Sequence, residues 1–224
     1  MSVVDSHVDV LTDGLAGLGI ELGEGQVKQL LDFLSLLQKW NRTYNLTSVR
    51  DPEAMISLHL LDSLAAVPPL KRHVATLEGA VARERCLLDV GSGGGLPGVV
   101  FAICLPELAV HCVDTVGKKA AFVQQAAAAL GLRNLRGLHA RVESLDGQYN
   151  IVSCRAFASL KDFTAWSRRA LVDGGVWMAM KGRRPNEEMA ELSPEVEVFH
   201  VEHLQVPGLD AERCIVWMRA QQSV

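Results

Sequence analysis

The most informative stretch of the sequence is Leu87-Leu88-Asp89-Val90-Gly91-Ser92-Gly93-Gly94-Gly95-Leu96-Pro97-Gly98. The apolar run at residues 86–90 predicts a buried strand, and the apolar run at 99–105 predicts a helix. The glycines between them permit positive φ angles and let a ligand approach the main chain closely. In open α/β sheets, a strand, a glycine loop and a helix in this order present backbone N–H groups to a ligand. We therefore predict a nucleotide-type ligand site, against the alternative of a glycine turn that binds nothing.

The glycine spacing alone leaves the cofactor class open. The loop reads Asp-Val-Gly-x-Gly-x-Gly from Asp89, but the register Gly93-x-Gly95-x-x-Gly98 also fits a dinucleotide fingerprint. The next predicted strand ends at Asp114, about twenty residues past the loop, where a carboxylate suits two ribose hydroxyls in either class. Asp89 favours S-adenosylmethionine, because its carboxylate would repel a pyrophosphate and suit ammonium and sulfonium charges. This stretch thus favours a methyltransferase over a dehydrogenase.

Composition indicates one compact cytoplasmic chain. With 224 residues, 49% of them hydrophobic, it is long enough for one α/β domain with a small appendage. No apolar run approaches the roughly eighteen residues of a membrane span. No basic residue precedes Lys28, unlike a signal or transit peptide. The five cysteines lack CxxC spacing, which favours buried thiols of a reducing compartment over disulfides.

The charge is unevenly distributed along the chain. The net charge of −4 argues against a generally basic nucleic-acid binder. Residues 117–184 nevertheless hold 12 basic against 4 acidic residues, a local excess suited to RNA phosphates. The alternative is that these cations lie on ordinary solvated helix faces. The candidates for RNA binding are Lys118, Lys119, Arg141, Lys181, Arg183 and Arg184.

Three segments are expected: an acidic, weakly ordered leader at 1–24, a helical cap at 25–80, and the α/β domain at 81–224. The alternative for residues 1–24 is one short helix. In the cap, helical spacing predicts a helix over residues 26–40. A second helix should begin with Asp51 as N-cap and Pro52 at its first position, and end at Pro68-Pro69. His59, Asp62 and Ser63 share one face of that helix. They form either a structural network or a substrate-facing group.

From residue 86 the chain alternates strand and helix, which predicts a mainly parallel sheet with helices on both faces. The expected strands are 86–90, 110–113, 136–140, 149–153, 176–180, 196–205 and 214–219, with the last two antiparallel. Ligands bind at the carboxyl ends of such strands. The candidates there are Gly91, Ser92, Gly93, Gly95, Leu96, Asp114, Arg141, Val142, Glu143, Arg155 and Lys181.

Two of these positions suggest specific contacts. The main chain at Val142 and the Glu143 carboxylate are placed to read an adenine edge, although Glu143 as a surface acid is the alternative. Arg155 suits either a methionine carboxylate or an RNA phosphate. No metal is predicted, because the His200-x-x-His203 pair lacks a third ligand.

Several motifs occur in one order along the chain: Trp40-Asn41, Tyr44-Asn45-Leu46-Thr47, His59-Leu60-Leu61-Asp62-Ser63, the glycine loop, Ser153-Cys154-Arg155-Ala156-Phe157-Ala158 and Lys181-Gly182. Together they resemble the ribosomal RNA small subunit methyltransferase G family, also called glucose-inhibited division protein B. The resemblance runs from about residue 26 to residue 219. Two positions depart from the family pattern, Asn150 in place of a frequent Asp and Cys154 in place of a small hydroxyl residue.

The resemblance implies a class I, Rossmann-like fold of seven mostly parallel strands with an N-terminal helical cap. It implies methyl transfer from S-adenosylmethionine to N7 of one guanine in the 530 loop of 16S ribosomal RNA, with the RNA or the 30S subunit as partner and no obligate protein partner. Alternatives are a methyltransferase for another substrate and a non-catalytic RNA-binding assembly factor. The implied cofactor contacts are Gly91, Leu96, Asp114, Val142, Glu143 and Arg155.

Guanine N7 carries a lone pair and no proton, so positioning suffices and no general base is required. The catalytic residue is therefore unknown from sequence. The candidates for positioning the guanine are Asn41, Asn45, His59, Asp62 and Lys181.

Overall fold

The computed structural model describes residues 3–77, 85–146 and 149–221. Within these ranges a seven-stranded sheet has the order β3-β2-β1-β4-β5-β7-β6. Its neighbours are parallel except that β7 runs antiparallel to β5 and to β6. The seven-stranded, mostly parallel prediction is confirmed. The strands are β1 (Cys86–Val90), β2 (Ala109–Asp114), β3 (Leu135–His139), β4 (Tyr149–Arg155), β5 (Leu171–Lys181), β6 (Val196–Leu204) and β7 (Arg213–Ala220).

Helices precede the sheet and connect its strands. A π-helical stretch, Ile56–Leu61, lies between α3 and α4, and 3₁₀ turns cover Val142–Ser144 and Arg168–Ala170. No helix in the described part of the chain is both long and apolar enough to cross a membrane. The α-helices are α1 (Val3–Gly17), α2 (Glu24–Tyr44), α3 (Pro52–Met55), α4 (Asp62–Leu64), α5 (Val67–Ala75), α6 (Gly98–Cys104), α7 (Gly117–Leu130), α8 (Leu160–Ser167) and α9 (Asn186–Ala190).

Both faces of the sheet are apolar and covered. Successive side chains of a strand point to opposite faces, so each strand contributes to two cores. Leu87 of β1 joins a core that also contains Leu30 and Leu60 of the N-terminal helices. Leu88, the next residue, joins the opposite core together with Phe163 of α8. The N-terminal helices therefore share one core with the sheet. The expected boundary between cap and domain, at residues 80 and 81, lies outside the described residues.

Two expectations for the N-terminal region are corrected. In the described part of residues 1–24, Val3–Gly17 forms α1, so the helical alternative holds there in place of the weakly ordered leader. Leu11 and Leu15, one helical turn apart, are buried in the core beside the π-helical stretch. Pro68 and Pro69 do not simply end a helix: they occupy the first turn of α5, where a missing N–H costs no helical hydrogen bond.

The predicted start of the preceding helix is confirmed. The Asp51 carboxylate accepts a hydrogen bond from the Ala54 N–H at 2.9 Å, and Pro52 occupies the first turn of α3. This cap fixes where the chain turns back toward the sheet after α2.

We expect Gly98→Ala to destabilise the fold by about 2 kcal/mol, because the new methyl group overpacks a closed interior. An added Cβ would lie 2.3 Å from the Cys112 Sγ and 3.0 Å from the Asp89 Oδ2. The matched control is Gly25→Ala in the first turn of α2, where nothing lies within 4 Å of the new Cβ. Urea unfolding measures both; equal midpoints for the two variants would contradict this account.

Candidate active site

The glycine loop is built on backbone angles that other residues adopt poorly. Gly91, Gly93 and Gly95 have φ angles of 68°, 57° and 80°. At Gly91 a Cβ would also lie 2.2 Å from the Cδ2 of Phe157. Gly91 is therefore required twice, for its positive φ and for the close approach of an aromatic ring.

Asp89 holds the loop from beneath. Its side chain is fully buried, and its carboxyl group accepts hydrogen bonds from the Gly98 N–H at 2.9 Å and the Ser153 hydroxyl at 3.2 Å. Burial raises the pKa of Asp89 to about 7. It lines neither of the two cavities described below. The carboxyl group is therefore interior, and it connects β1 and β4 to the first turn of α6.

Asp114 stands at the carboxyl end of β2, as predicted. Its Oδ2 accepts a hydrogen bond from the Gly93 N–H at 3.2 Å, and its Oδ1 accepts one from the Val116 N–H at 2.8 Å. Lys119 lies 3.8 Å from the Oδ2. Asp114 thus fixes the glycine loop and contributes a carboxylate to the adjoining cavity.

The adenosine-sized cavity, as we call it, has a volume of about 480 Å³ and opens at the ends of β1, β2 and β4. The predicted residues Gly91, Asp114, Arg141, Val142 and Glu143 all line it, with Lys119 at its wall. Sequence reasoning missed two aromatic residues there. Phe157 and Trp166 form an edge-to-face pair with ring centroids 5.9 Å apart, and Trp166 is exposed. The signal for Phe157 was its position two residues beyond β4, at the ligand end of the sheet, whereas Trp166 lies within α8 and carried no such signal.

A second cavity is larger, about 680 Å³, and lies between the glycine loop and the N-terminal helices. We name it the acceptor-side cavity, after the role proposed for it below. The structure brings many predicted residues together there: Gly91, Ser92, Gly93, Leu96, His59, Asp62, Arg155 and Lys181. The loop of residues 46–49 forms another wall, and Arg213 of β7, which sequence reasoning missed, lines it too. The two cavities meet at Gly91 and Ala156, which line both.

Asp62 organises the acceptor-side cavity. Its Oδ2 accepts a hydrogen bond from the Arg155 Nη1 at 2.8 Å, and its Oδ1 accepts one from the Arg213 Nε at 2.5 Å. The Arg155 Nη1 also donates to the Leu58 carbonyl at 3.1 Å. Asp62 is buried, so these charge-assisted hydrogen bonds compensate the cost of taking its carboxylate out of water. The network joins the N-terminal helices to β4 and β7.

Two further side chains of this cavity are held in place. The His59 Nε2 lies 2.8 Å from the Thr47 hydroxyl, and burial with the nearby Arg155 charge lowers the pKa of His59, which favours the neutral ring. The Lys181 Nζ donates to the Glu188 carboxylate at 2.7 Å and to the Ala158 carbonyl at 3.1 Å. The cavity therefore combines a neutral imidazole with guanidinium and ammonium groups.

Other predicted residues lie elsewhere. Asn41 and Asn45 line a third, separate cavity and not the acceptor-side cavity. Gly95 lines neither of the first two, since its positive φ and tight contact with Val99 give it a role in the loop turn. Lys118, Arg183 and Arg184 are exposed but line none of these three cavities.

The two departures from the family pattern lie within β4. The Asn150 Oδ1 accepts a hydrogen bond from the Cys86 N–H at 2.8 Å. Because Asn150 is at the amino end of the strand, it lies away from the glycine loop. Cys154 is buried in the core beneath the site, where burial raises its pKa strongly. Among the described residues, no three His, Cys, Asp or Glu side chains are grouped to hold a metal ion.

The sheet order, the glycine loop after β1 and the acidic residue ending β2 define a class I methyltransferase. Solved structures with this fold include the mitomycin 7-O-methyltransferase MmcR, with a TM-score of 0.57 at 14% identity over 84% of this chain and 60% of that chain. TrmN from Thermus thermophilus has a TM-score of 0.52 at 20% identity over 69% of this chain and 48% of its own. These likenesses concern the fold alone.

Within that class, the chain belongs to the rRNA small subunit methyltransferase G family, whose pattern matches residues 26–216. A relative named ribosomal RNA small subunit methyltransferase G from Acidovorax ebreus is 65% identical, covering 98% of this chain and 99% of its own length. The protein of the same name from Polaromonas sp. is 63% identical, covering 95% and 93%. The family resemblance is therefore confirmed, and the chain belongs to a family of methyltransferases.

We expect the stability of the wild type, relative to Asp89→Asn, to fall as pH rises from about 4 to about 7. The folded pKa of about 7 lies above the ordinary value of 3.8 for an aspartate carboxyl group. In this window the folded chain keeps a proton that the unfolded chain releases, so rising pH favours unfolding. The stabilisation of the folded chain by the protonated Asp89 is fully present below about pH 4 and lost above about pH 7. Urea unfolding across the window measures it, with exposed Asp146→Asn as control; a flat or rising difference would count against the assignment.

Proposed function

We propose that this protein transfers a methyl group from S-adenosylmethionine to N7 of a guanine in the 530 loop of 16S ribosomal RNA. The observation that carries the proposal is the pair of cavities meeting at Gly91 and Ala156, one suited to an adenosine and the other to an acceptor base. The donor, the acceptor atom and the RNA segment come from the family resemblance, which the cavity chemistry supports.

The polar and apolar groups that line the adenosine-sized cavity suit S-adenosylmethionine. The Asp114 carboxylate is placed for ribose hydroxyls, and Phe157, Trp166 and Val142 supply apolar surface for the adenine ring. Glu143 is exposed at its rim, where its carboxylate is able to accept from the adenine amino group. The bound cofactor would supply an electrophilic methyl group to the junction of the two cavities.

Arg155 belongs to the acceptor side in this proposal. Its guanidinium is held by Asp62 and the Leu58 carbonyl and lines only the larger of the two cavities. The earlier alternatives were a methionine carboxylate and an RNA phosphate. The geometry favours a role beside the acceptor RNA, near the junction where the methionine end would also lie.

The side chains of the acceptor-side cavity suit catalysis by positioning the acceptor base. Asp62 is occupied by two arginines, and the lowered pKa of His59 makes its neutral ring a weaker base, so neither is arranged as a strong general base. Alkylation of guanine N7 needs no proton removal, only an in-line approach within a dry pocket. We propose that His59, Asp62 and Lys181 position the guanine. Asn41 and Asn45 line another cavity, so we do not propose that they position the guanine.

Exposed cations around the site would meet the RNA backbone. Lys118, Arg141, Arg183 and Arg184 are exposed, whereas Lys119 and Lys181 are partly covered and paired with Asp114 and Glu188. We therefore propose the four exposed cations as phosphate contacts and the two paired ones as supports of the site.

The decisive experiment is methyl transfer from labelled S-adenosylmethionine to 30S subunits from a strain lacking this protein. We expect label to appear as 7-methylguanosine within the 530 loop. Recovery of label in another nucleoside, or on a ribosomal protein, would refute the proposed acceptor. Cofactor binding without transfer would favour a non-catalytic assembly role.

We expect Asp62→Asn to lower kcat about 100-fold while changing the Kd for cofactor less than about three-fold. The substitution weakens the anchor of Arg155 and Arg213, and small displacements of positioning groups have rate effects of this size. Single-turnover methylation and calorimetric cofactor titration measure the two quantities. The control is Asp146→Asn, which breaks an exposed ion pair with Arg169. Equal losses in both quantities would contradict the separation of donor and acceptor sides.

A further inference from the structure

A third cavity, of about 300 Å³, lies at the end of α2 and has no role in the function proposed above. Gln38, Asn41, Arg42, Asn45 and Arg50 line it, so its lining contains two cations, three amides and no acidic side chain. Its volume is at the lower end of small-molecule sites, roughly 300–1,000 Å³. We refer to it as the α2-end cavity.

The two arginines of the α2-end cavity are unneutralised. Arg42 and Arg50 are both exposed, and neither side chain makes a hydrogen bond or ion pair with any described residue. Arg155 and Arg213 of the neighbouring cavity, by contrast, share the Asp62 carboxylate. Two free guanidinium groups on one small concave surface repel each other, and an anion between them relieves that repulsion. Their planar forks match the geometry of a phosphate.

One short loop separates this cavity from the acceptor-side cavity. Residues 46–49 line the acceptor-side cavity, while Asn45 and Arg50, at the two ends of the loop, line the α2-end cavity. Asn41 clamps the loop from beneath: its Nδ2 donates to the Val49 carbonyl at 3.2 Å, and its Oδ1 accepts from the Thr47 N–H at 2.9 Å. A strand of RNA crossing this loop would reach both cavities.

We propose that the α2-end cavity binds a backbone phosphate, with its nucleotide, of the single-stranded RNA that flanks the acceptor guanine. Arg42 and Arg50 bind the phosphate, and the Gln38 and Asn45 amides face the attached sugar or base. Unpaired RNA is the form whose bases and 2′-hydroxyls side chains are able to reach. The inference rests on the proposed function, because it takes RNA as the substrate, and it adds a second contact point that fixes the direction of the strand.

The test compares Arg42→Gln/Arg50→Gln with the wild type in methylation of 30S subunits. We expect KM for 30S to rise about ten-fold and kcat at saturation to stay within about two-fold, since charge-assisted contacts outside the reacting centre are lost. The slope of log KM against log salt should become shallower by about 0.7, because the two arginines share one phosphate and each single-strand phosphate contact contributes about 0.7. The control is Arg133→Gln/Arg136→Gln, which removes the same charge from exposed residues at the amino end of β3.

A binding measurement keeps the inference separate from the proposed function. Fluorescence anisotropy with a labelled single-stranded RNA of roughly twelve nucleotides needs no methyl transfer. We expect the same ten-fold loss for Arg42→Gln/Arg50→Gln. Arg42→Lys/Arg50→Lys should restore the salt slope and only part of the affinity, since lysine keeps the charge and loses the fork.

The outcomes divide cleanly. A KM, Kd and salt slope equal to those of the control pair would overturn the α2-end cavity as an RNA site, even if the wild type methylates 30S. A fall in kcat with unchanged KM would overturn it as well. If the wild type transfers no methyl group to 30S, the proposed function fails, while the anisotropy result still decides the cavity.

Discussion

The buried Asp89 carboxyl group is the interaction on which the site depends. It lies in β1, between β2 and β4, and accepts hydrogen bonds from β4, through Ser153, and from the first turn of α6, through Gly98. Gly98 is bound this closely because it has no side chain, and the same absence lets α6 pack against Cys112 of β2. The glycine loop is thus held between three elements whose spacing one carboxyl group sets. A cofactor would meet a loop that is already formed.

A second carboxylate gives the acceptor side its shape. Asp62 lies in the N-terminal helical region, and its two arginine partners come from β4 and from β7. Since the N-terminal helices also share an apolar core with the sheet, burial provides the general attachment and Asp62 the local alignment. The two kinds of contact differ in consequence. Apolar burial tolerates small shifts, whereas hydrogen bonds to both carboxylate oxygens fix orientation.

The sequence predicted the features that depend on local residue patterns. It did not predict the features that depend on contacts between residues far apart in the chain. The sheet, the loop and Asp114 followed from apolar runs, glycines and strand ends. Helix α1 was predicted only as an alternative, because the burial of Leu11 and Leu15 depends on partners far along the chain. Arg213, separated from Asp62 by 151 positions, carried no local signal. The sequence placed Asp89 beside the loop, but its hydrogen bonds to Gly98 and Ser153 depend on the packing of α6 and β4, which no local pattern shows.

The junction between the two cavities has a consequence for how this enzyme is able to diversify. Gly91 and Ala156, the residues common to both linings, have positive φ angles of 68° and 51° and carry at most one methyl group. Main chain, and not side-chain volume, therefore sets the width of the passage where the two cavities meet. Under the function proposed above, backbone geometry at these two residues would set the distance between methyl donor and acceptor. Side chains elsewhere in either cavity would then be free to change without altering that distance.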